Sequence, residues 1–128
     1  MKQIRVIVAD DDPVAREVAA AYIDADEGLV LAGAAEDADE AAVLAEREQP
    51  DAALIDVEMP GGGGEAAVRQ IAERSPGTAV VALSAHDDER SVMGMLQAGA
   101  VSYVRKGASA DELCSAIARS VEAHELLD

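Results

Sequence analysis

Residues 6–13 read VIVADDDP: β-branched residues suited to the middle of a sheet run directly into three aspartates and a proline. Two unit charges about 5 Å apart repel by roughly 3 kcal/mol at an effective dielectric near 20, so such a cluster needs solvent, protons or a cation. Pro13 is preorganised for an opening helical turn and Asp12 is well placed as its cap. The stretch therefore reads as a strand that passes at once into a helix.

That pairing repeats along the chain. Five β-rich runs, Ile4 to Ala9, Leu29 to Ala34, Ala52 to Ile55, Ala79 to Leu83 and Ser102 to Arg105, are each followed by a helical pattern. In the first helix Val14, Val18, Ala21, Tyr22 and Ala25 recur at helical spacing as a buried stripe, and Gly28 ends it. Asp37 and Glu40 have capping-box spacing for a second helix from Ala38 to Gln49, with Pro50 as its stop. A third helix runs from Glu65 to Arg74, closed by Ser75, Pro76 and Gly77, and a fourth from Glu89 to Ala98. Ser109 and Glu112 cap the fifth, whose stripe of Leu113, Cys114, Ile117, Ala118 and Val121 faces the sheet. Cys114 on that stripe reads as a small core residue. Strands alternating with helices predict an α/β fold, a doubly wound five-stranded parallel sheet with helices on both faces.

At 128 residues the chain has the size of one domain with a single core. Its aromatic residues are Tyr22 and Tyr103, so Ala, Val, Leu and Ile must fill that core. A net charge of -16 repels phosphate backbones and anionic lipid, which argues against direct nucleic-acid or membrane binding. A lone cysteine and the lack of a secretory signal at the start point to a cytoplasmic protein. No apolar run approaches a membrane span.

In open parallel sheets, ligands bind beyond the C-terminal ends of the strands. There the first strand delivers Asp10, Asp11 and Asp12, the third Asp56, the fourth Ser84 and the fifth Lys106; Ala35 and Glu36, after the second, look ordinary. Singly, each has a plain explanation as a turn, a helix cap or a solvated charge. Their conjunction on one sheet edge is what points to a site. A hard cation such as Mg2+ takes oxygen ligands and is held by a few carboxylates together with a substrate phosphate. Asp10, Asp11 and Asp56 can supply those oxygens. A carboxylate can then attack phosphorus to form an aspartyl phosphate, with Lys106 offsetting phosphoryl charge and Ser84 donating to an oxygen.

The sequence resembles the receiver domain of bacterial two-component response regulators over nearly its whole length. The resemblance rests on VIVADDDPVAR, with the acidic pair Asp10 and Asp11; on ALIDVEMPGGGG, with Asp56 at the phosphoacceptor and Met59, Pro60 and Gly64 in the turn behind it; on VVALSA, with Ser84 at the switch hydroxyl; and on SYVRKGAS, with Tyr103 and Lys106. It implies the flavodoxin-like strand order 2-1-3-4-5 and one receiver domain over residues 1–128, either the N-terminal part of a longer response regulator or a receiver that stands by itself. It implies that a sensor histidine kinase or histidine phosphotransfer protein supplies the phosphoryl group to Asp56, and that Glu58 lends its backbone carbonyl to Mg2+, with Mn2+ as a substitute. It also implies that Ser84 and Tyr103 then switch the surface of the fourth helix, fifth strand and fifth helix. That surface would control an output domain, an effector protein or a phosphorylation-dependent homodimer, so the chain acts as a signalling phosphoacceptor and not as an enzyme in its own right.

Departures from the family pattern are Ser84 where threonine is commoner, Gly107 where many members have proline, and the run Gly61 to Gly64, read as flexibility and not as a nucleotide loop. Glu58 and His86 occupy positions that tune loss of the phosphoryl group in the family. Among other classes, a haloacid dehalogenase type of phosphatase with Asp10 as nucleophile fits Asp10, Asp12 and Val14 but leaves Asp56 idle. A flavin carrier is opposed by the anionic first loop.

Overall fold

The computed structural model describes residues 2–85 and 89–127, so His86 lies outside the described residues. The elements are β1 (Ile4–Ala9), α1 (Pro13–Ala25), β2 (Leu29–Ala35), α2 (Ala38–Glu48), β3 (Ala52–Asp56), α3 (Gly63–Arg74), β4 (Ala79–Ser84), α4 (Glu89–Ala98), β5 (Ser102–Arg105) and α5 (Ala110–Leu127). The strands form one parallel sheet in the order β2-β1-β3-β4-β5.

Period-two alternation divides the strand side chains between two cores. Ile7, Ala9, Ala53, Ile55, Val80 and Ala82 face α2, α3 and α4, while Val6, Val8, Ala52, Leu54, Val81 and Leu83 face α1 and α5. Both faces of the central strands are covered, so they read as continuous apolar runs. The step from β1 to β2 travels one way across the sheet and the later steps travel the other. Crossovers of one hand therefore put α1 and the helices α2 to α4 on opposite faces.

The caps follow the sequence closely. Asp12 accepts from the Val14 amide at 3.0 Å, Asp37 from Glu40 at 2.8 Å, and Ser109 from Glu112 at 3.1 Å. Gln49 ends α2 in the left-handed region at φ 45°, and its amide side chain donates to the Arg74 carbonyl at 3.0 Å.

Three local expectations are corrected. In α1 the buried residues are Ala19 and Ile23, whereas Val14 is 67% exposed and Val18, Ala21 and Ala25 are exposed as well. The buried face lies one residue further on because α1 packs closely, and small Ala19 fits against the sheet. Gly28 does not cap that helix; Asp26 does, and its carboxylate takes the Gly28 amide at 2.8 Å. In α5, Ala118 is exposed and Ala116 and Ser120 are buried instead. A polar residue on the buried face is tolerated because Ser120 Oγ bonds the Ala116 carbonyl at 2.7 Å and Ser102 Oγ at 2.7 Å.

Cys114 of α5 packs in the core against α1 as expected. Burial, reinforced by Asp26, pushes its thiol up to about 11. Alkylation of Cys114 in the native protein at pH 8 should therefore be at least about 100-fold slower than in the urea-unfolded chain. Equal rates would contradict the buried placement.

Candidate phosphoryl-transfer site

Strand order reverses between β1 and β3, because β1 leads outward to β2 on one side and β3 leads to β4 on the other. Ligand crevices of open α/β sheets form outside the strand ends at such a switch point. Here the two strands end in Asp10 to Asp12 and in Asp56, and Ser84 and Lys106 follow from β4 and β5.

Asp10, Asp11 and Asp56 each offer a carboxylate oxygen, and these oxygens all lie within 4.8 Å of one another. Asp10 is fully buried, Asp56 is 3% exposed and Asp11 is exposed. Lys106 Nζ lies 2.9 Å from Asp10 Oδ2 and 3.4 Å from Asp56 Oδ2. Asp10 Oδ1 accepts from the Asp12 amide at 2.9 Å, whereas Oδ2 has no directed hydrogen bond and meets Lys106 only as an ion pair. Asp56 Oδ1 accepts from the Glu58 amide at 3.3 Å. A cleft of about 380 Å³ opens over Asp56, with Asp11, Glu58, Ser84 and Lys106 in its walls, so the small exposed area of Asp56 faces the opening.

One ammonium group thus pairs with two of the three clustered carboxylates. Burial, then the charge of Asp10, push Asp56 up to about 7 against the opposing pull of Lys106. Burial by itself would lower Lys106, but its contacts with Asp10 and Asp56 outweigh that and hold it above its usual value. The excess of anionic oxygen, all of it hard donor, together with an Asp10 oxygen lacking a directed hydrogen bond, fits a small divalent cation.

Tyr103 is 52% exposed and lies outside this cleft, in the wall of a larger one of about 550 Å³ between β5 and α5. The glycine run does more than loosen a loop. Gly61, Gly62 and Gly63 take φ of 87°, 102° and 79°, a left-handed path that turns the chain from the site into α3 two residues earlier than expected. Gly107 takes φ 93° in a turn closed by the Ala108 amide on the Arg105 carbonyl at 3.1 Å.

Two residues beside the site escaped the reading of the strand ends. Arg16 Nη1 donates to the Asp10 carbonyl at 2.7 Å and its Nη2 lies 3.5 Å from Glu36, which the sequence had given no role. Helical spacing from Asp12 to Arg16 was the available signal, since residues four apart share a helix face. Ser91 of α4 also lines the cleft, and nothing in its local sequence marks it.

A family profile described as the response regulator receiver domain matches residues 6–118. The uncharacterised transcriptional regulatory protein YxjL of Bacillus subtilis (strain 168) is 37% identical over 115 residues, covering 90% of this chain and 53% of that protein. The response regulator GacA of Pseudomonas protegens is 36% identical over 114 residues, covering 89% and 54% respectively. The solved signal receiver domain of NarL from Mycobacterium tuberculosis superposes with a TM-score of 0.90 at 30% identity, covering 95% of this chain and 98% of that one. The chain spans about half the length of the curated relatives it matches. Among the described residues no helix is long and apolar enough to cross a membrane.

Proposed function

The chain belongs to the family of response regulator receiver domains, and from that premise we propose that Asp56 accepts a phosphoryl group from a sensor histidine kinase or histidine phosphotransfer protein. The observation that carries this reading is the meeting of Asp10, Asp11, Asp56 and Lys106 at one cleft. Mg2+, or Mn2+ in its place, would be held by the carboxylates of Asp10, Asp11 and Asp56 and by the Glu58 backbone carbonyl. When bound it would offset the negative charge that gathers as phosphoryl oxygens approach carboxylates.

The residues of the chain divide the remaining work. An Asp56 carboxylate oxygen forms the new bond to phosphorus as the phosphorus–nitrogen bond of the donor breaks, and the electron pair leaves with the imidazole. Lys106, already between Asp10 and Asp56, moves to a phosphoryl oxygen and neutralises part of its charge. Ser84 donates its hydroxyl to another. Its movement makes room for Tyr103 to turn from solvent toward the sheet, which changes the face formed by α4, β5 and α5. Residues 1–128 act as one receiver unit that controls an output domain or an effector protein, including a second phosphorylated copy. The length and names of the curated relatives support a transcriptional output. The lone Cys114 supports a cytoplasmic site of action, and the charge of the chain leaves nucleic-acid contact to another domain.

Incubation with Mg2+ and a small acyl phosphate, followed by peptide mapping, should find one phosphoryl group per chain, on Asp56. Label on Asp10 with sustained hydrolysis would instead make the protein a phosphatase.

A further inference from the structure

We propose that Arg16 is a positioning residue for the metal-binding loop, its guanidinium holding the Asp10 carbonyl so that Asp10 and Asp11 present their carboxylates together. The inference rests on the reading of those residues as Mg2+ ligands. Arg16 lies one turn into α1, and its side chain folds back over the helix start to reach the Asp10 carbonyl at 2.7 Å. It is largely buried, with 19% of the side chain exposed.

That carbonyl belongs to the peptide joining Asp10 to Asp11, so the bond fixes the plane from which the Asp11 side chain projects. The neighbouring groups are tied as well. The Asp10 amide donates to the Ala35 carbonyl at 3.1 Å, and the Asp12 amide donates to Asp10 Oδ1 at 2.9 Å. Those two bonds hold the peptides on either side; Arg16 restrains the Asp10–Asp11 peptide between them and links it to Glu36 beyond β2. Glu36 is mostly exposed, so the bond to the carbonyl carries the effect and the ion pair contributes little.

Charge and geometry predict opposite results, which makes the inference testable. Arg16 is a positive charge beside a cation site, so by Coulomb attraction and repulsion alone its removal would tighten Mg2+ binding. Loss of a group that orients metal ligands typically weakens binding by about 10–100-fold. Arg16→Met keeps the length and apolar stem of the side chain while removing charge and donors.

Calorimetric titration with Mg2+ alone should give a dissociation constant about 10-fold higher for Arg16→Met than for the parent chain, with both folded at the assay temperature by circular dichroism. Arg16→Lys, which keeps the charge and one donor group, should fall between the two. At saturating Mg2+, labelling of Asp56 by a small acyl phosphate should proceed within about 3-fold of the parent rate, because Asp56 and Lys106 are untouched. An unchanged or lower dissociation constant for Arg16→Met, a lysine variant outside the interval, or a lower labelling rate that excess Mg2+ does not restore would overturn the proposal. A parent chain that binds no Mg2+ would instead remove the reading of the ligands on which it rests.

Discussion

Replacing both Asp10 and Asp11 by asparagine is expected to weaken Mg2+ binding by at least about 100-fold while the metal-free protein stays folded. A carboxylate about 4 Å from a divalent ion contributes several kcal/mol at an effective dielectric near 20, and a 100-fold loss needs only about 2.7 kcal/mol. The fold tolerates the change because asparagine keeps the shape of aspartate and can still accept from the Asp12 amide, as Asp10 Oδ1 does at 2.9 Å. Without the charge of Asp10, Lys106 is left to Asp56 alone, and Asp56 should titrate nearer the usual carboxylate range. Calorimetry gives the affinity, and NMR of the Asp56 carboxyl carbon against pH gives the titration. Affinity retained within a factor of about 3 would show that these two residues have been given the wrong role.

The second large effect belongs to Asp56→Asn, which should remove phosphoryl acceptance entirely and also stabilise the metal-free protein at alkaline pH. Asp56 is raised from 3.8 to about 7, chiefly by burial and then by Asp10, so the folded state holds this proton more tightly than the unfolded chain does. Its contribution to stability is fully present below about 3.8 and is lost as pH rises through about 7. The parent should therefore lose stability across that window and the variant should not. The variant also deprives Lys106 of one of its two partner carboxylates, so we expect a gain of about 1–3 kcal/mol at pH 8 and little difference at pH 4. Urea denaturation at the two pH values measures it. A variant less stable than the parent at pH 8, or still labelled by an acyl phosphate, would contradict this account. Mg2+ should narrow the stability difference at pH 8, because it binds the folded parent and offsets the same charge.

The same repulsion makes the cluster unfavourable in isolation. Asp10 and Asp56 are buried together with only Lys106 between them, an arrangement that costs stability without metal and makes the site responsive to charge. A phosphoryl group bound with a cation would alter the balance around Ser84 and Lys106, which lie at the C-terminal ends of β4 and β5. In the proposed switch this is what would couple local electrostatics to the face that carries Tyr103.

Much of this was legible in the order of residues. Strand runs such as VIVA and AALI are apolar throughout because both sheet faces are covered, and caps such as Asp12, Asp37 and Ser109 mark helix starts, so element type and order could be read directly. With parallel strands assigned, the C-terminal end of every strand falls on one edge, so the sequence alone brings Asp10, Asp11, Asp56, Ser84 and Lys106 into one candidate site. What needed the tertiary structure was rotation and reach. The buried face of α1 includes Ala19 and not Val18, because side-chain size is selected by how closely the helix approaches the sheet, a distance that no local pattern contains. Likewise Arg16 finds the Asp10 carbonyl, and Lys106 stands between two aspartates 46 residues apart, only because the fold closes those gaps. Local sequence determines which groups a strand delivers to the sheet edge; packing in three dimensions decides which of them touch.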